Sequence, residues 1–230
     1  MIMDKNKNVT FGKWLRMISM SFVICHLLFA LTACSEEDDS VEEFANWKNV
    51  NEQYFSNLYA QTQQRIAAGD SNWKIIRKWS LQETAHPDID NYIVVQVIEE
   101  GQGTGCPLYT DSVRCQYEGR LIPSTNYTQG WVFDQSFTGT FDPATAKATQ
   151  FAVAGVVDGF STALQNMHIG DRWKVYVPYN LGYGTTDNKN STTGAVIVPA
   201  YSTLIFDVTL VSYHRLGASQ PAFKVKAAVR

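Results

Sequence analysis

Asp134 is the residue whose placement most invites chemistry. It follows Trp131, Val132 and Phe133, whose β-branched and aromatic character reads as a strand entering a core, with no turn residue between. Burying a carboxylate alone is costly, so this one must be hydrogen-bonded, paired or left in water at a strand end. Capping a turn or pairing with a cation accounts for it as well as a working site does. Tyr183 is the second such residue. It stands in "NLGYG", between two glycines at the head of a polar loop, where a tyrosine has little packing reason to be.

Other chemistries find no support. The four histidines, His26, His86, His168 and His214, are scattered, and none has metal-ligand spacing with another. No G-x-S-x-G nucleophile elbow is present. "GQGTG" after a strand does not match G-x-G-x-x-G and reads as turn glycines. Neither a metal nor a cofactor is expected.

The elements that must position Asp134 and Tyr183 fall into two stretches. From Val41 to about Ala68, residues Phe44, Trp47, Asn51, Tyr54, Phe55, Leu58 and Ile66 recur near one helical face, and Gly69-Asp70 ends the pattern. That stripe must dock on its own domain or on another copy. "SNWKIIRKWSL" mixes aromatic and basic residues, but Trp73, Ile76 and Trp79 recur at helical spacing and predict a second packed helix. "TAHPDIDN", Thr84 to Asn91, reads as a linker broken at His86-Pro87. Strand-period runs follow in "NYIVVQVIEEGQGTG", "DSVRCQYEGRLI" and "GWVFDQSF". One helix interrupts them, with Phe160, Ala163, Leu164 and Met167 on a single stripe, Asp158 as its cap and Gly170 as its close. "RWKVYVPY" and "PAYSTLIFDVTLVSY" complete an antiparallel sheet, separated by the long polar loop "GTTDNKNSTTG". The expected fold class is α+β, a twisted antiparallel sheet wrapped around one short helix and preceded by an N-terminal helical segment.

Five ordered motifs then carry a resemblance: Tyr117-Glu118-Gly119, Val132-Phe133-Asp134, "VVDGF", "NLGYG" and "TLIFDVTL". In order and rough spacing they resemble the FKBP-type peptidyl-prolyl cis/trans isomerases across residues 90 to 214. The resemblance implies that Tyr117 and Phe133 form walls of a proline pocket and Phe160 its floor. Val156 and Val157 would line it beside that floor, the Val157 N–H donating to a peptide carbonyl. Tyr183 would offer its hydroxyl to a substrate carbonyl, Ile197 and Val198 would close the far side, and Phe206 would complete the aromatic box. Asp134 becomes the polar group at the pocket's edge. Strand alternation sends Phe133 and Asp134 to opposite faces, so both reach one pocket only if the strand ends or bulges there. The chain departs from the family pattern at the floor, where Phe160 replaces the usual Trp, and in having no Arg in "QSFTGTFDPATAK". Two function classes follow: an isomerase acting on X-Pro bonds of proline-containing polypeptides, and a non-catalytic peptide-binding module of the same shape.

Upstream, Lys5, Lys7, Lys13 and Arg16 precede the nearly uncharged run "MISMSFVICHLLFALTAC", the basic-then-apolar order of a secretory signal. Leu31-Thr32-Ala33-Cys34 resembles a bacterial lipobox, which implies lipid on Cys34 and a membrane anchor. Ser35 after the cysteine implies passage to the outer membrane, and the acid-rich "SEEDDSVEE" resembles the surface-export signal of Bacteroidetes lipoproteins. The expected location is the outer membrane, at its periplasmic face or the cell surface. Loss of residues 1–33 leaves 15 basic and 21 acidic residues, so the formal charge moves from −3 to −6. No nucleic-acid partner is expected at that charge. Cys106 and Cys115 remain, either paired as a disulfide or as two separate small buried residues. The expected organisation is a signal at 1–33, an acidic tether at 34–43, a helical segment at 41–83, an isomerase-like domain at 88–216 and a tail at 217–230. A homodimer through the N-terminal helix is one use of its aromatic stripe.

Overall fold

A computed structural model describes residues 42–82, 84, 87–142 and 145–215. The signal, Cys34, most of the acidic tether and the tail 217–230 lie outside the described residues. Among the described residues, no helix is long and apolar enough to cross a membrane.

The expected sheet is present. Strands β1 (Trp73–Arg77), β2 (Tyr92–Glu99), β3 (Ser112–Leu121), β4 (Val132–Gln135), β5 (Thr149–Ala152), β6 (Arg172–Val177) and β9 (Leu204–His214) form one antiparallel sheet. Its order is β1-β2-β6-β9-β3-β4, and β5 also pairs with β3. A separate ribbon joins β7 (Asn188–Lys189) to β8 (Val196–Val198) inside the loop that the sequence reads as irregular. The outer edge of β3 is divided: β5 covers Ser112–Cys115, and β4 covers Glu118–Arg120.

Helix α2 (Asp158–Leu164) lies in the main core. Its Phe160, Ala163 and Leu164 pack with Met167, Trp173, Val175, Val177, Phe206 and Val208. Gly159 permits the close approach, because a Cβ there would collide with the Val177 side chain. Two expected details differ. Asp158 makes no capping bond, since its carboxylate is drawn outward to Lys78, and Val157 holds the cap position. Gly170, at φ +96°, does not close the helix, which has already ended at Leu164; it turns the chain into β6, donating its N–H to the Leu210 carbonyl at 2.8 Å.

Helix α1 (Trp47–Ala67) docks intramolecularly. Phe55 is buried with Val94 and Tyr176, flanked by Tyr54, Leu58, Tyr59, Trp73 and Ile75. At its N-terminal end, Trp47 Nε1 donates to Ser202 Oγ at 2.8 Å. Asn51, fully buried, accepts the Thr203 N–H at 2.7 Å and donates to the Trp47 carbonyl at 2.8 Å. Thr62, rather than Ile66, is the buried residue late in the stripe; Ile66 is exposed.

Residues Trp73–Arg77 are a strand and not the second helix expected. The β-branched pair Ile75-Ile76 pairs with Val94 and Ile93 on β2. Trp79 lies beyond the strand, stacked on Tyr109 at 4.1 Å. The helical spacing of the three aromatic and aliphatic positions was coincidental, and the free edge of β2 decided the outcome. Cys106 and Cys115 are both free cysteines, so they are two separate thiols rather than a disulfide; Cys115 is buried in β3, whereas Cys106 is only half-buried. Burial pushes the Cys115 thiol well above its ordinary range.

Because Asn51 satisfies a buried backbone N–H 152 residues away, Asn51→Leu should destabilise the chain by about 1–3 kcal/mol. Urea unfolding at constant m-value measures it; a change below about 0.5 kcal/mol would mean that the docking of α1 does not depend on this bond.

Candidate functional site

Tyr117 on β3 and Phe133 with Asp134 on β4 meet where those strands pair irregularly. Gly119 pairs with Asp134, but Arg120 pairs with Val132, which leaves Phe133 as the extra residue of a bulge. The bulge resolves the alternation problem. It lets the Phe133 ring turn over the sheet while the Asp134 carboxylate, exposed, accepts the Tyr117 hydroxyl at 2.7 Å. Gly119 is required beneath it: a Cβ there would stand 2.5 Å from Phe133 Cζ. Ser136 pins the strand end, its Oγ accepting the Tyr117 N–H and its N–H donating to the Tyr117 carbonyl, both at 2.9 Å.

The rings form a connected group. Phe160 lies 4.5 Å from Phe206 and 6.1 Å from Tyr117 between centroids. Phe133 meets Phe206 edge-on at 5.6 Å and Tyr183 edge-on at 6.4 Å. Such edge-to-face pairs are favoured by the ring quadrupoles. Phe160 and Phe206 are buried at the bottom, while Tyr117 and Phe133 are half-buried and Tyr183 is 39% exposed at the rim. Val156, Val157 and Ile197 are half-buried against the same core, and Val198 is buried within it. Tyr183 is held in a turn by Gly184, whose N–H donates to the Tyr179 carbonyl at 2.9 Å and whose φ is +79°. Direct contacts therefore join Tyr117, Phe133, Asp134, Phe160, Tyr183 and Phe206, while Val156, Val157, Ile197 and Val198 share the main core with them.

Both phenols are shifted upward. Burial chiefly raises Tyr117, reinforced by its hydrogen bond to Asp134. Burial also raises Tyr183, with the nearby Asp134 charge adding to it. A phenol is already protonated in the neutral range, and these shifts extend that state further into the alkaline range.

Three contributors escaped the sequence reading. Phe151 on β5 stands edge-on to Tyr117 at 5.9 Å and 5.8 Å from Phe160, closing the ring group on a second side. Gly119 and Ser136 are the other two. Phe151 lies in a four-residue strand too short for a periodic signal; its role depends on β5 pairing with a strand some 35 residues earlier.

Among the described residues, the site brings no nucleophile beside a base. What it offers is a set of apolar walls, one exposed phenol and a fixed carboxylate. The FKBP-type peptidyl-prolyl cis-trans isomerase family matches residues 106–211. The macrophage infectivity potentiator of Trypanosoma cruzi is 34% identical over 160 residues, 68% of this chain and 72% of that relative. The FKBP-type 22 kDa peptidyl-prolyl cis-trans isomerase of Escherichia coli is 37% identical over 116 residues, 50% of this chain and 47% of its own length. The chain also covers only 45% of the Coxiella burnetii isomerase Mip, at 35% identity. Among solved structures, that of FkpA from Escherichia coli overlaps 92% of this chain and 73% of that one, at 22% identity and a TM-score of 0.48. The chain belongs to the FKBP-type peptidyl-prolyl cis-trans isomerase family.

Gly119→Ala should force Phe133 off its bulge and cost about 1–3 kcal/mol, as overpacking does. Denaturant unfolding and the aromatic ring-current shifts of Phe133 report it; an unshifted Phe133 with unchanged stability would overturn the reading of the bulge.

Proposed function

We propose that this chain speeds cis/trans exchange at X-Pro bonds of exported polypeptides, with the proline seated among Tyr117, Phe133, Phe160 and Phe206. The observation that carries the proposal is the bulge, which brings the Phe133 ring and the Tyr117–Asp134 hydrogen bond to one mouth. The barrier to overcome is the amide resonance, ~18–20 kcal/mol, and the uncatalysed exchange takes tens to hundreds of seconds. The planar amide is the more charge-separated form, so an apolar cavity favours the twisted one. Fixed donors, Tyr183 Oη and the N–H of Val157 at the head of α2, hold the flanking carbonyls while the amide rotates. As the residue before the helix, Val157 needs no intrahelical acceptor for that N–H. Val156, Ile197 and Val198 bound the peptide on either side. Asp134, by fixing the Tyr117 hydroxyl, keeps that wall from swinging into the proline's place.

Three substitutions test these roles through exchange kinetics on an Ala-Pro-Phe type peptide. Phe160→Ala should remove most turnover, Tyr183→Phe should lower kcat/KM about three- to tenfold, near 1 kcal/mol, and Asp134→Asn should fall between. Unchanged rates in all three would sink the assignment. Tight peptide binding by the unaltered chain without faster exchange would instead make it a binding module.

The basic-apolar leader and Leu31-Thr32-Ala33-Cys34 support export and lipid attachment at Cys34, with the outer membrane as the destination. The aromatic stripe of α1 is taken up by the chain's own sheet, which supports intramolecular docking over a dimer through that stripe. Cys34→Ala should leave an unprocessed or soluble protein. Mass spectrometry of the N-terminus decides it, and an unmodified Cys34 in membrane-purified protein would refute the anchor.

A further inference from the structure

The segment after β1 reaches the pocket's helix from outside the family-matched residues 106–211. Lys78 Nζ stands 2.6 Å from Asp158 Oδ2. The next residue, Trp79, donates its N–H to Thr162 Oγ1 at 3.2 Å, and that hydroxyl donates to the Asp158 carbonyl at 2.7 Å. Two successive residues thus grip two positions one turn apart on α2. Lys78 is itself held from behind: its N–H donates to the Asn91 carbonyl at 2.9 Å, and its carbonyl accepts the Leu81 N–H at 3.1 Å.

Helix α2 has seven residues and no side-chain cap. So short a helix has little stability of its own, and its exact placement is set by what holds it. Its core face is fixed by Phe160, Ala163 and Leu164, but these lie beyond its first residue. The first turn is anchored by Asp158, its one acidic residue. Asp158 directly follows Val156 and Val157, which pack against the core that holds the pocket rings.

We propose that Lys78 is a positioning residue for peptide binding. Through Asp158 it sets where the Val156-Val157 turn stands, and so where the Val157 N–H meets the peptide carbonyl. The pair is partly exposed, with side chains 25% and 44% accessible, so it contributes little to global stability. A small displacement of a binding group nonetheless lowers turnover. The inference rests on the isomerase reading for its substrate. It makes the N-terminal segment part of the working site rather than an appendage to it.

The test is a double-mutant cycle in the full chain: Lys78→Met, Asp158→Asn and the two together, with Lys78→Arg as the charge-retaining control. Exchange kinetics give kcat and KM for the Ala-Pro-Phe type peptide, chemical-shift titration gives its Kd, and thermal unfolding gives Tm. The two single variants and the double should lose the same factor, about three- to tenfold in kcat/KM and mostly through KM. Tm should stay within about 2–4 °C of the unaltered chain, and Lys78→Arg should retain its KM. Unchanged kcat/KM in the single variants, losses that multiply in the double, or losses that track Tm would each overturn the proposal. If the unaltered chain binds peptide without speeding exchange, the isomerase reading fails. The pair is then judged on Kd by the same rule: equal losses uphold it and unequal losses reject it.

Discussion

A helix of two turns cannot hold itself together in water, and α2 exists because a sheet closes around it. That burial is the constraint on which the rest of the fold depends. Gly159 lets the helix axis come down onto β6, Phe160 then meets Phe206 at 4.5 Å, and the ring group is built outward from this contact. The head of the same helix carries Val157, so in the proposed isomerase reading the packing that holds the rings also aims its backbone donor. Phe160 is a core residue, and in the proposed reading it is also the floor of the site.

The two edges of the sheet serve different ends. At one edge, β3 is flanked by β5 along its first half and by β4 along its second, with the bulge at Phe133 in the latter. An irregular edge strand also resists pairing with other chains. At the other edge, β1 continues the sheet from the N-terminal segment and delivers Lys78 to the helix. Strand β9, between β6 and β3, alternates accordingly: Phe206 faces the rings, while Asp207 takes a bidentate contact from Arg172, 2.9 Å to each oxygen.

The chemistry suits this construction because the reaction asks for no bond to be made or broken. An X-Pro rotation needs a place where the twisted amide is less penalised than in water and a few groups that do not move. In the proposed reading, ring packing provides the first. Hydrogen bonds provide the second: Asp134 on Tyr117, Ser136 on the Tyr117 backbone, Gly184 on the turn that carries Tyr183. Tyrosine phenols are protonated at neutral pH in any case, and burial moves both of these further upward.

Most of the sheet, the one core helix and the aromatic positions of the site were legible in the sequence, because they follow from periodicity and from ordered short motifs. Alternation of Leu204, Phe206, Val208 and Leu210 is a local property of eleven residues and survives into the fold unchanged. The segment Trp73–Arg77 was misread for the opposite reason: both helix and strand were locally allowed, and the open edge of β2 chose between them. Likewise, the sequence could pose the question of Phe133 and Asp134 but not answer it, since a bulge is a mismatch between two strands. Phe151, Ser136, Gly119 and Lys78 became visible only once their partners were in place. What the sequence determined by itself is which residues are apolar, where the period changes and which motifs stand in order; the tertiary structure decided which of them meet, because those contacts join positions that local spacing cannot relate.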